Sequence, residues 1–137
     1  MITSTNDYSY LNTLSDYVIT DNAFNHVLIY NDDDKILGFL DYSVMYERAE
    51  INYIFVLKEY RSKGIASKLL EYMLDNNDFN EISLEVNVNN KKAIKLYQKY
   101  GFREVNIRKG YYDGIDGVLM YRSRWKYEKN EYISFWI

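Results

Sequence analysis

The stretch that decides the fold is RSKGIASKLLEYML, which runs from Arg61 to Leu74. A basic segment leads to a single glycine, Gly64, and an apolar helical pattern follows at once. A helix begins with backbone N–H groups that lack partners and with the positive end of its dipole, so this position suits an anion such as phosphate. Glycine also lets a ligand approach the backbone closely. A solvated basic helix start explains these residues as well, and both interpretations stay open at this point.

Two common phosphate-binding motifs do not fit this stretch. A P-loop closes with Gly-Lys followed by Ser or Thr, and the dinucleotide fingerprint needs three glycines. No Gly-Lys-Ser/Thr occurs around Gly64, and the stretch has one glycine rather than three. If the stretch binds phosphate, it does so with a different loop.

The composition is that of a globular domain. Of the 137 residues, 47% are hydrophobic and 27% are charged, which is enough apolar material to bury a core. The chain has no cysteine, which excludes a disulfide framework, a thiolate zinc site and a cysteine nucleophile. Its single histidine, His26, precedes an apolar run and is explained as a strand residue. We therefore expect one domain over residues 1–137.

Charge and hydropathy limit the partners. The net charge is −3, whereas a domain that binds duplex nucleic acid usually carries a basic face and a high pI. The N-terminus has no basic and apolar leader pattern, and no apolar run approaches 18 residues. We therefore expect a cytoplasmic protein without a membrane span and without nucleic acid as its main ligand.

Hydrophobic spacing predicts the order of helices and strands. We expect a helix over residues 7–24, an antiparallel meander, and then strand, helix, strand, helix and two closing strands. The predicted strands are 27–30, 36–46, 50–57, 81–88, 102–107 and 117–122, the later helices are 63–74 and 90–100, and 31–34 is a turn. A strand–helix–strand crossover requires a parallel pair. The class is therefore α+β or α/β with a mixed sheet, and the aromatic tail, 125–137, is ambiguous.

Three residues of the second half have a structural explanation beside a chemical one. Glu85 lies on the less apolar face of an alternating strand, where glutamates are usually just solvated. Tyr97 follows the spacing of core residues on its helix. Asn90 stands at the N-cap position of that helix. From spacing alone, these structural explanations stay open.

Two motifs of the chain resemble those of the Gcn5-related N-acetyltransferase (GNAT) family. Arg61, Gly64 and Ala66 fill the Gln/Arg-x-x-Gly-x-Gly/Ala pattern of that family's acyl-CoA loop. Residues 84–102, LEVNVNNKKAIKLYQKYGF, resemble its second signature of Leu-Glu-Val, Asn-x-x-Ala-x-x-Leu-Tyr and Gly-Phe. The following RKGYY, residues 108–112, resembles the branch that acetylates the N-terminal alanine of a small-subunit ribosomal protein.

The resemblance implies a fold and a cosubstrate. In that fold the sheet is mixed and mostly antiparallel, and two central parallel strands, here 51–57 and 81–88, splay apart between flanking helices. The cosubstrate is acetyl-CoA, with its pantetheine arm against a free strand edge and its diphosphate at the helix start. The implied cofactor-binding residues are Ile54, Phe55, Val56, Arg61, Ser62, Lys63, Gly64, Ile65, Ala66, Ser67 and Asn90. No metal is implied, because no cluster of residues has ligand spacing.

The resemblance also implies catalytic roles. Glu85 would be the base that takes a proton from the amine, directly or through one water. Tyr97 would be the acid that protonates the departing thiolate, since a phenol is protonated at neutral pH. Tyr111 and Tyr112 would line the acceptor pocket. Adjacent residues of a strand point to opposite faces, so one of these two tyrosines would then only pack.

The implied function is acetyl transfer to a primary amine, specifically a protein N-terminal α-amine, by direct attack in a ternary complex. Two alternatives stay open, namely a small-molecule or lysine amine as the acceptor and a module that binds acyl-CoA without catalysis. A nucleic-acid or adaptor domain using the basic segments 58–68 and 91–99 is disfavoured by the net charge. The sequence does not distinguish a monomer from a homodimer.

Overall fold

The computed structural model describes residues 1–124, which contain seven β-strands and two α-helices. The elements are β1 (Ile2–Thr5), β2 (Asn25–Asp32), β3 (Lys35–Met45), β4 (Arg48–Val56), α1 (Ile65–Asp75), β5 (Glu81–Asn87), α2 (Lys91–Lys99), β6 (Arg103–Tyr112) and β7 (Ile115–Ser123), with 3₁₀ turns at Leu11–Thr13 and Lys58–Tyr60. No helix in this part of the chain is long and apolar enough to cross a bilayer. The ambiguous tail, 125–137, lies outside the described residues.

The strands form one mixed sheet in the order β1-β2-β3-β4-β5-β7-β6, in which β4 and β5 are the parallel pair. This confirms the predicted class and the predicted parallel strands. The chain divides into two compact units. Of the described residues, the first consists of 1–46 and 51–78, and the second of 47–50 and 79–124. That residues 1–137 act as a single domain stays a prediction.

The first unit contains an antiparallel meander, as predicted. Strand β2 pairs with β1 on one side and with β3 on the other. The turn between β2 and β3 is shorter than the predicted 31–34, because it centres on Asp33, whose φ of +54° reverses the chain. The core on this sheet contains Val27 and Phe39, which are fully buried. His26 lies in β2 and stacks on Tyr42, which confirms it as a strand residue.

The predicted helix over residues 7–24 is wrong. The structure has only a 3₁₀ turn there, and strand β1 precedes it. Short polar side chains compete with helical hydrogen bonds in this segment, as when the Asp7 carboxylate accepts the Ser9 backbone N–H at 3.1 Å. The apolar residues still serve the core, since Leu11 and Ile19 are buried against the sheet.

A buried carboxylate fixes this segment to the sheet. Asp41 of β3 is fully buried and accepts the Tyr17 hydroxyl at 2.5 Å and the Asn25 side-chain amide at 2.7 Å. The Tyr17 ring also stacks on Tyr53 of β4, with centroids 4.2 Å apart. The residues before β2 are therefore ordered by specific contacts instead of by a helix.

Helix α1 lies close to the predicted bounds of 63–74 and begins at Ile65. Its buried residues recur at helical spacing and face β2 and β3. They are Ile65, Leu69, Leu70 and Met73. This packing fixes the direction of the helix, and so it fixes where its N-terminal N–H groups point.

The second unit builds β5, α2, β6 and β7 as predicted. Strand β5 pairs antiparallel with β7, and its side chains alternate between buried and half-buried. Helix α2 has Asn90 as its N-cap. Gly101 follows its end with a φ of +91°, the left-handed conformation that glycine adopts without strain. Both predicted caps are thus confirmed.

The β6–β7 hairpin is longer than the predicted strands 102–107 and 117–122. The register of β6 against β7 is irregular between Arg108 and Tyr112. The Asp116 carboxylate accepts the Gly110 backbone N–H at 3.0 Å, and this hydrogen bond holds the pKa of Asp116 below its usual value. The hairpin therefore carries residues 108–112, the RKGYY motif, on an ordered irregular strand.

Candidate active site

Helix α1 begins with backbone N–H groups that have no partner. Its first hydrogen bond runs from the Lys68 N–H to the Gly64 carbonyl at 3.0 Å, and no side chain caps the start. Within residues 1–124, the N–H groups of 65–67 therefore donate no hydrogen bond. Ser62 and Gly64 have φ values of +63° and +83°, which curve the chain tightly before the helix. Such a run of free N–H groups suits a multivalent anion.

Basic side chains gather at Tyr60, a few residues before the start of α1. The Lys35 and Lys63 ammonium groups lie 5.0 and 5.5 Å from the centre of the Tyr60 ring. In the part of the chain that the structure describes, neither lysine forms an ion pair with a carboxylate, and neither does Arg61. Their charge is therefore available to an anion, although the chain as a whole has a net charge of −3.

Two contacts fix the end of β4. The Arg61 Nε donates to the Val56 carbonyl at 2.9 Å, and its guanidinium lies 5.8 Å from the centre of the Phe55 ring. Neighbouring strand β3 has Gly38 at the same level, where a Cβ would come within 2.6 Å of the Phe55 carbonyl oxygen. Arg61 thus binds the end of β4 through the Val56 carbonyl and also lies near the start of α1.

The predicted cofactor-binding residues of the first unit lie together between the end of β4 and the first turn of α1. They are Ile54, Phe55 and Val56 on the strand and Arg61, Ser62, Lys63, Gly64, Ile65, Ala66 and Ser67 after it. Free N–H donors and unpaired cations are what a diphosphate requires. These residues therefore fit the predicted ligand, and their contacts with it stay a prediction.

The second unit contains a carboxylate with an unused oxygen. Glu85 extends from β5 between the buried Leu84 and Val86. Its Oε2 is buried and has no hydrogen-bond partner in residues 1–124. The Arg108 Nε lies 3.3 Å from that oxygen, an ion-pair distance without hydrogen-bond geometry. A carboxylate oxygen with a free lone pair is able to accept a proton or an N–H group.

A glycine of β7 makes room for this carboxylate. A Cβ at Gly117 would lie 3.2 Å from the Glu85 Oε2 and 3.1 Å from the Cε2 of Tyr112. The carboxylate and the tyrosine ring therefore both pack over the bare Cα of Gly117. Glycine inside a strand often marks such a close approach.

The paired tyrosines do not lie on opposite faces of β6. Their rings meet edge to face, with centroids 4.9 Å apart and planes at 84°, because the strand is irregular before Tyr112. Tyr111 is 52% exposed and lies under the Arg108 guanidinium, which is 4.4 Å from its ring centre. Burial raises the pKa of Tyr112, and the negative charge of Glu85 raises it further. Tyr112 thus lies close enough to Glu85 to feel its charge, while the Tyr111 ring is exposed to solvent.

Tyr97 is buried on α2, with 7% of its surface exposed. Its ring packs edge-on against Phe102, with centroids 5.6 Å apart, so the core-packing explanation is confirmed. Burial raises the pKa of Tyr97 far above its ordinary value, and proximity to Tyr112 adds to this. The Tyr97 hydroxyl has no hydrogen-bond partner within residues 1–124. Tyr97 is therefore neutral, and its hydroxyl proton is not engaged in a hydrogen bond within the described residues.

Asn90 acts as a helix cap. Its Oδ1 accepts the Ala93 backbone N–H at 3.3 Å. The structural role proposed from the sequence is thus confirmed, and contact with a cofactor stays a prediction.

Three residues of the site were not singled out from the sequence. Arg108 stands in the RKGYY motif, which was a signal for it, but its contact with Glu85 depends on strand register. Gly38 lies inside a predicted strand and Gly117 begins one, and glycine is unusual in strands, which was the available signal.

The sequence matches the family model "Acetyltransferase (GNAT) family" over residues 3–102. It is 54% identical over 74 residues to an N-alpha-acetyltransferase of Saccharolobus solfataricus, a match that covers 50% of this chain and 44% of that protein. It is 34% identical over 86 residues to the [ribosomal protein bS18]-alanine N-acetyltransferase of Escherichia coli K12, covering 61% of this chain and 58% of that protein. The chain thus spans about half the length of each of these two curated relatives.

A solved structure shares the fold. The crystal structure of the ribosomal-protein-S18-alanine N-acetyltransferase from Escherichia coli superposes with a TM-score of 0.80 at 23% identity, covering 90% of this chain and 94% of that one. At that identity the likeness concerns the fold alone. The fold expected from the sequence motifs is confirmed.

Proposed function

The chain belongs to the GNAT acetyltransferase family, and from that premise we propose that it transfers the acetyl group of acetyl-CoA to the α-amine of a protein N-terminus. The observation that carries the proposal is the unpartnered oxygen of Glu85, which lies beside Tyr112 in the unit that also holds the neutral Tyr97. Similar proteins named as an N-alpha-acetyltransferase and as a ribosomal-protein-alanine N-acetyltransferase favour an α-amine as the acceptor.

The first unit would bind the cosubstrate. Residues 62–67 would surround the diphosphate, the free N–H groups of 65–67 would donate to it, and Arg61 and Lys63 would balance its charge. The backbone of residues 54–56 would hold the pantetheine arm as an added strand. Asn90 would also contact the cosubstrate. Bound acetyl-CoA supplies the activated acyl group as a thioester.

Glu85 would act as the general base. An N-terminal α-amine has a pKa of about 8, so a fraction of it is neutral at about pH 7 and its lone pair can attack the acyl carbon. The carboxylate then accepts the proton that the nitrogen loses as the amide forms. The Glu85 Oε2 has the lone pair for this, because it accepts no hydrogen bond within residues 1–124. The proton then passes from Glu85 to solvent.

Tyr97 would act as the acid. Its raised pKa keeps its hydroxyl protonated across the neutral range. As the C–S bond breaks, the hydroxyl would stabilise the developing charge on sulfur by hydrogen bonding and then supply the proton. Tyr97 then regains a proton from solvent, so that the amine proton lost and the thiol proton gained balance over one turnover.

We also propose that the protein works in the cytoplasm, as a monomer or homodimer, without nucleic acid or a metal. The absence of cysteine fits a reducing compartment. Within residues 1–124 no cluster of three possible metal ligands is found. The net charge of −3 is unfavourable for a nucleic-acid ligand.

The test measures CoA release and identifies the acetylated amine by mass spectrometry. The acceptors are an alanine-starting peptide, the same peptide with a blocked N-terminus and an internal lysine, and a polyamine. We expect acetylation of the free α-amine. Glu85→Gln and Tyr97→Phe should each lower kcat roughly 100- to 10,000-fold, because each removes one proton-transfer group.

Tyr100→Phe is the matched control, because it removes a hydroxyl from the same helical region outside the site and should leave kcat unchanged. If the wild type acetylates only the lysine peptide or the polyamine, the α-amine assignment fails. If it binds acetyl-CoA but acetylates nothing, the non-catalytic alternative replaces the enzyme.

A further inference from the structure

Arg108 lies beside the free oxygen of Glu85, and it has unused hydrogen-bond donors. Its side chain is 60% exposed, its Nε is 3.3 Å from the Glu85 Oε2, and its guanidinium carbon is 4.4 Å from the centre of the Tyr111 ring. Within residues 1–124, its two terminal nitrogens have no hydrogen-bond partner. A guanidinium that is oriented on one side by a carboxylate and below by a ring is preorganised to donate from its remaining edge.

An amine bound to the Glu85 Oε2 places its neighbouring atoms next to this edge. In an N-terminal residue, the carbonyl oxygen lies within about 3.6 Å of the α-amine nitrogen, because only two atoms separate them. A lysine ε-amine or a polyamine has methylene groups in that position. The group that distinguishes an N-terminus from these amines is therefore a hydrogen-bond acceptor beside the amine, and the Arg108 nitrogens are free donors at that place.

We propose that Arg108 is a specificity-determining residue, which donates to the first peptide carbonyl of the acceptor and so selects an α-amine over side-chain amines. The inference rests on the proposed function for the position of the amine at Glu85. The carbonyl oxygen would accept hydrogen bonds from the Arg108 nitrogens, whereas a bound alkyl amine would exclude water from these nitrogens and give them no acceptor. Sites built to hydrogen-bond a substrate reject analogues that lack the acceptor atom. Exposed Tyr111 supports the guanidinium in this role.

The experiment compares two acceptors that differ only in this carbonyl. One is an alanine-starting peptide, and the other is the same peptide with its first amide replaced by a trans-alkene, which keeps the shape and removes the acceptor oxygen. We expect the wild type to prefer the carbonyl peptide in kcat/KM by about 10- to 100-fold, the usual effect of one hydrogen bond to a charged group. In Arg108→Gln the preference should fall to about onefold, and Arg108→Lys should restore part of it.

Lys109→Gln is the matched control. It removes the same charge from the next residue of β6, whose ammonium pairs with Asp116, and it should keep the wild-type preference. The inference is overturned if Arg108→Gln slows both peptides equally, because Arg108 would then act only by orienting Glu85. It is also overturned if the preference is unchanged in Arg108→Gln.

A binding measurement separates this inference from the proposed function. Dissociation constants of the two peptides are measured by NMR titration, without acetyl-CoA, for the wild type and Arg108→Gln. Loss of the carbonyl preference in the variant supports the role of Arg108 even if no turnover is detected. Equal binding of the two peptides by the wild type overturns it, whatever the activity.

Discussion

Replacing Gly117 with alanine would test the catalytic arrangement without removing any of its groups. The added Cβ would lie 3.2 Å from the Glu85 Oε2, 3.4 Å from the Glu85 Cδ and 3.1 Å from the Tyr112 Cε2. These distances are tighter than normal contacts, so the carboxylate and the ring must each move by a few tenths of an ångström. Gly117 lacks a left-handed φ, so alanine adds no backbone strain.

The size of the effect follows from that displacement. A reacting group misplaced by 1 Å costs roughly 100-fold in rate, so a few tenths of an ångström should cost about fivefold to tenfold in kcat. Overpacking against side chains that are able to shift should lower the free energy of unfolding by only about 1 kcal/mol. We therefore expect Gly117→Ala to lose activity while it stays folded.

The assay is acetylation of an alanine-starting peptide, together with urea unfolding of each variant. Val118→Ala, at the next position of β7, is the matched control, because Val118 is buried and truncating it leaves a cavity. It should lose about 1–3 kcal/mol of stability and keep its kcat. The reasoning is refuted if Gly117→Ala keeps the wild-type kcat, or if both variants lose kcat in proportion to their loss of stability.

Two further changes address α2. Burial raises the folded-state pKa of Tyr97, so the tyrosine of the unfolded chain ionises first, near pH 10. The stability that the neutral ring gives is therefore present below pH 10 and falls above it by about 1.4 kcal/mol per pH unit. Urea unfolding between pH 9 and 11 should show a smaller decline in stability for Tyr97→Phe than for the wild type, and parallel curves would contradict this. Asn90→Ala should lower stability by about 1 kcal/mol through loss of the cap, whereas Asn90→Ser should keep it. If Asn90→Ser also leaves the KM for acetyl-CoA unchanged, Asn90 has no role in cofactor binding.

The secondary structure was predictable wherever one periodicity dominated. The alternation of residues 81–88 and the helical spacing of 63–74 gave bounds within two residues of β5 and α1. Both elements bury a single face, so burial and local pattern agree. Residues 7–24 have helical spacing too, but hydrogen bonds from their Asp, Asn, Ser and Thr side chains replace the helix. Spacing alone does not reveal that competition.

The site was predictable in its residue types and less so in its contacts. Glu85, Tyr97 and the helix start were marked by motifs, and the structure gives each a setting that suits its expected chemistry. The contact of Arg108 with Glu85 depends on how β6 and β5 both align with β7. The irregularity before Tyr112 shifts that alignment, and it also brings the two tyrosine rings together. Register between strands distant in sequence is not encoded in any one strand's pattern.

The two glutamates of β5 show why the free oxygen of Glu85 points to chemistry. Glu81 lies four residues earlier on the same face, and its carboxylate accepts the Tyr121 hydroxyl at 2.7 Å and pairs with Arg48. Leaving a buried acceptor unpaired costs about 1–3 kcal/mol, and this strand satisfies its other glutamate. The bare Cα of Gly117 and the Tyr112 ring lie beside the Glu85 oxygen, and the Arg108 Nε is 3.3 Å away at an ion-pair distance without a hydrogen bond. An oxygen that the fold leaves without a hydrogen bond is ready to accept one from a substrate, and an amine carries the N–H group for it.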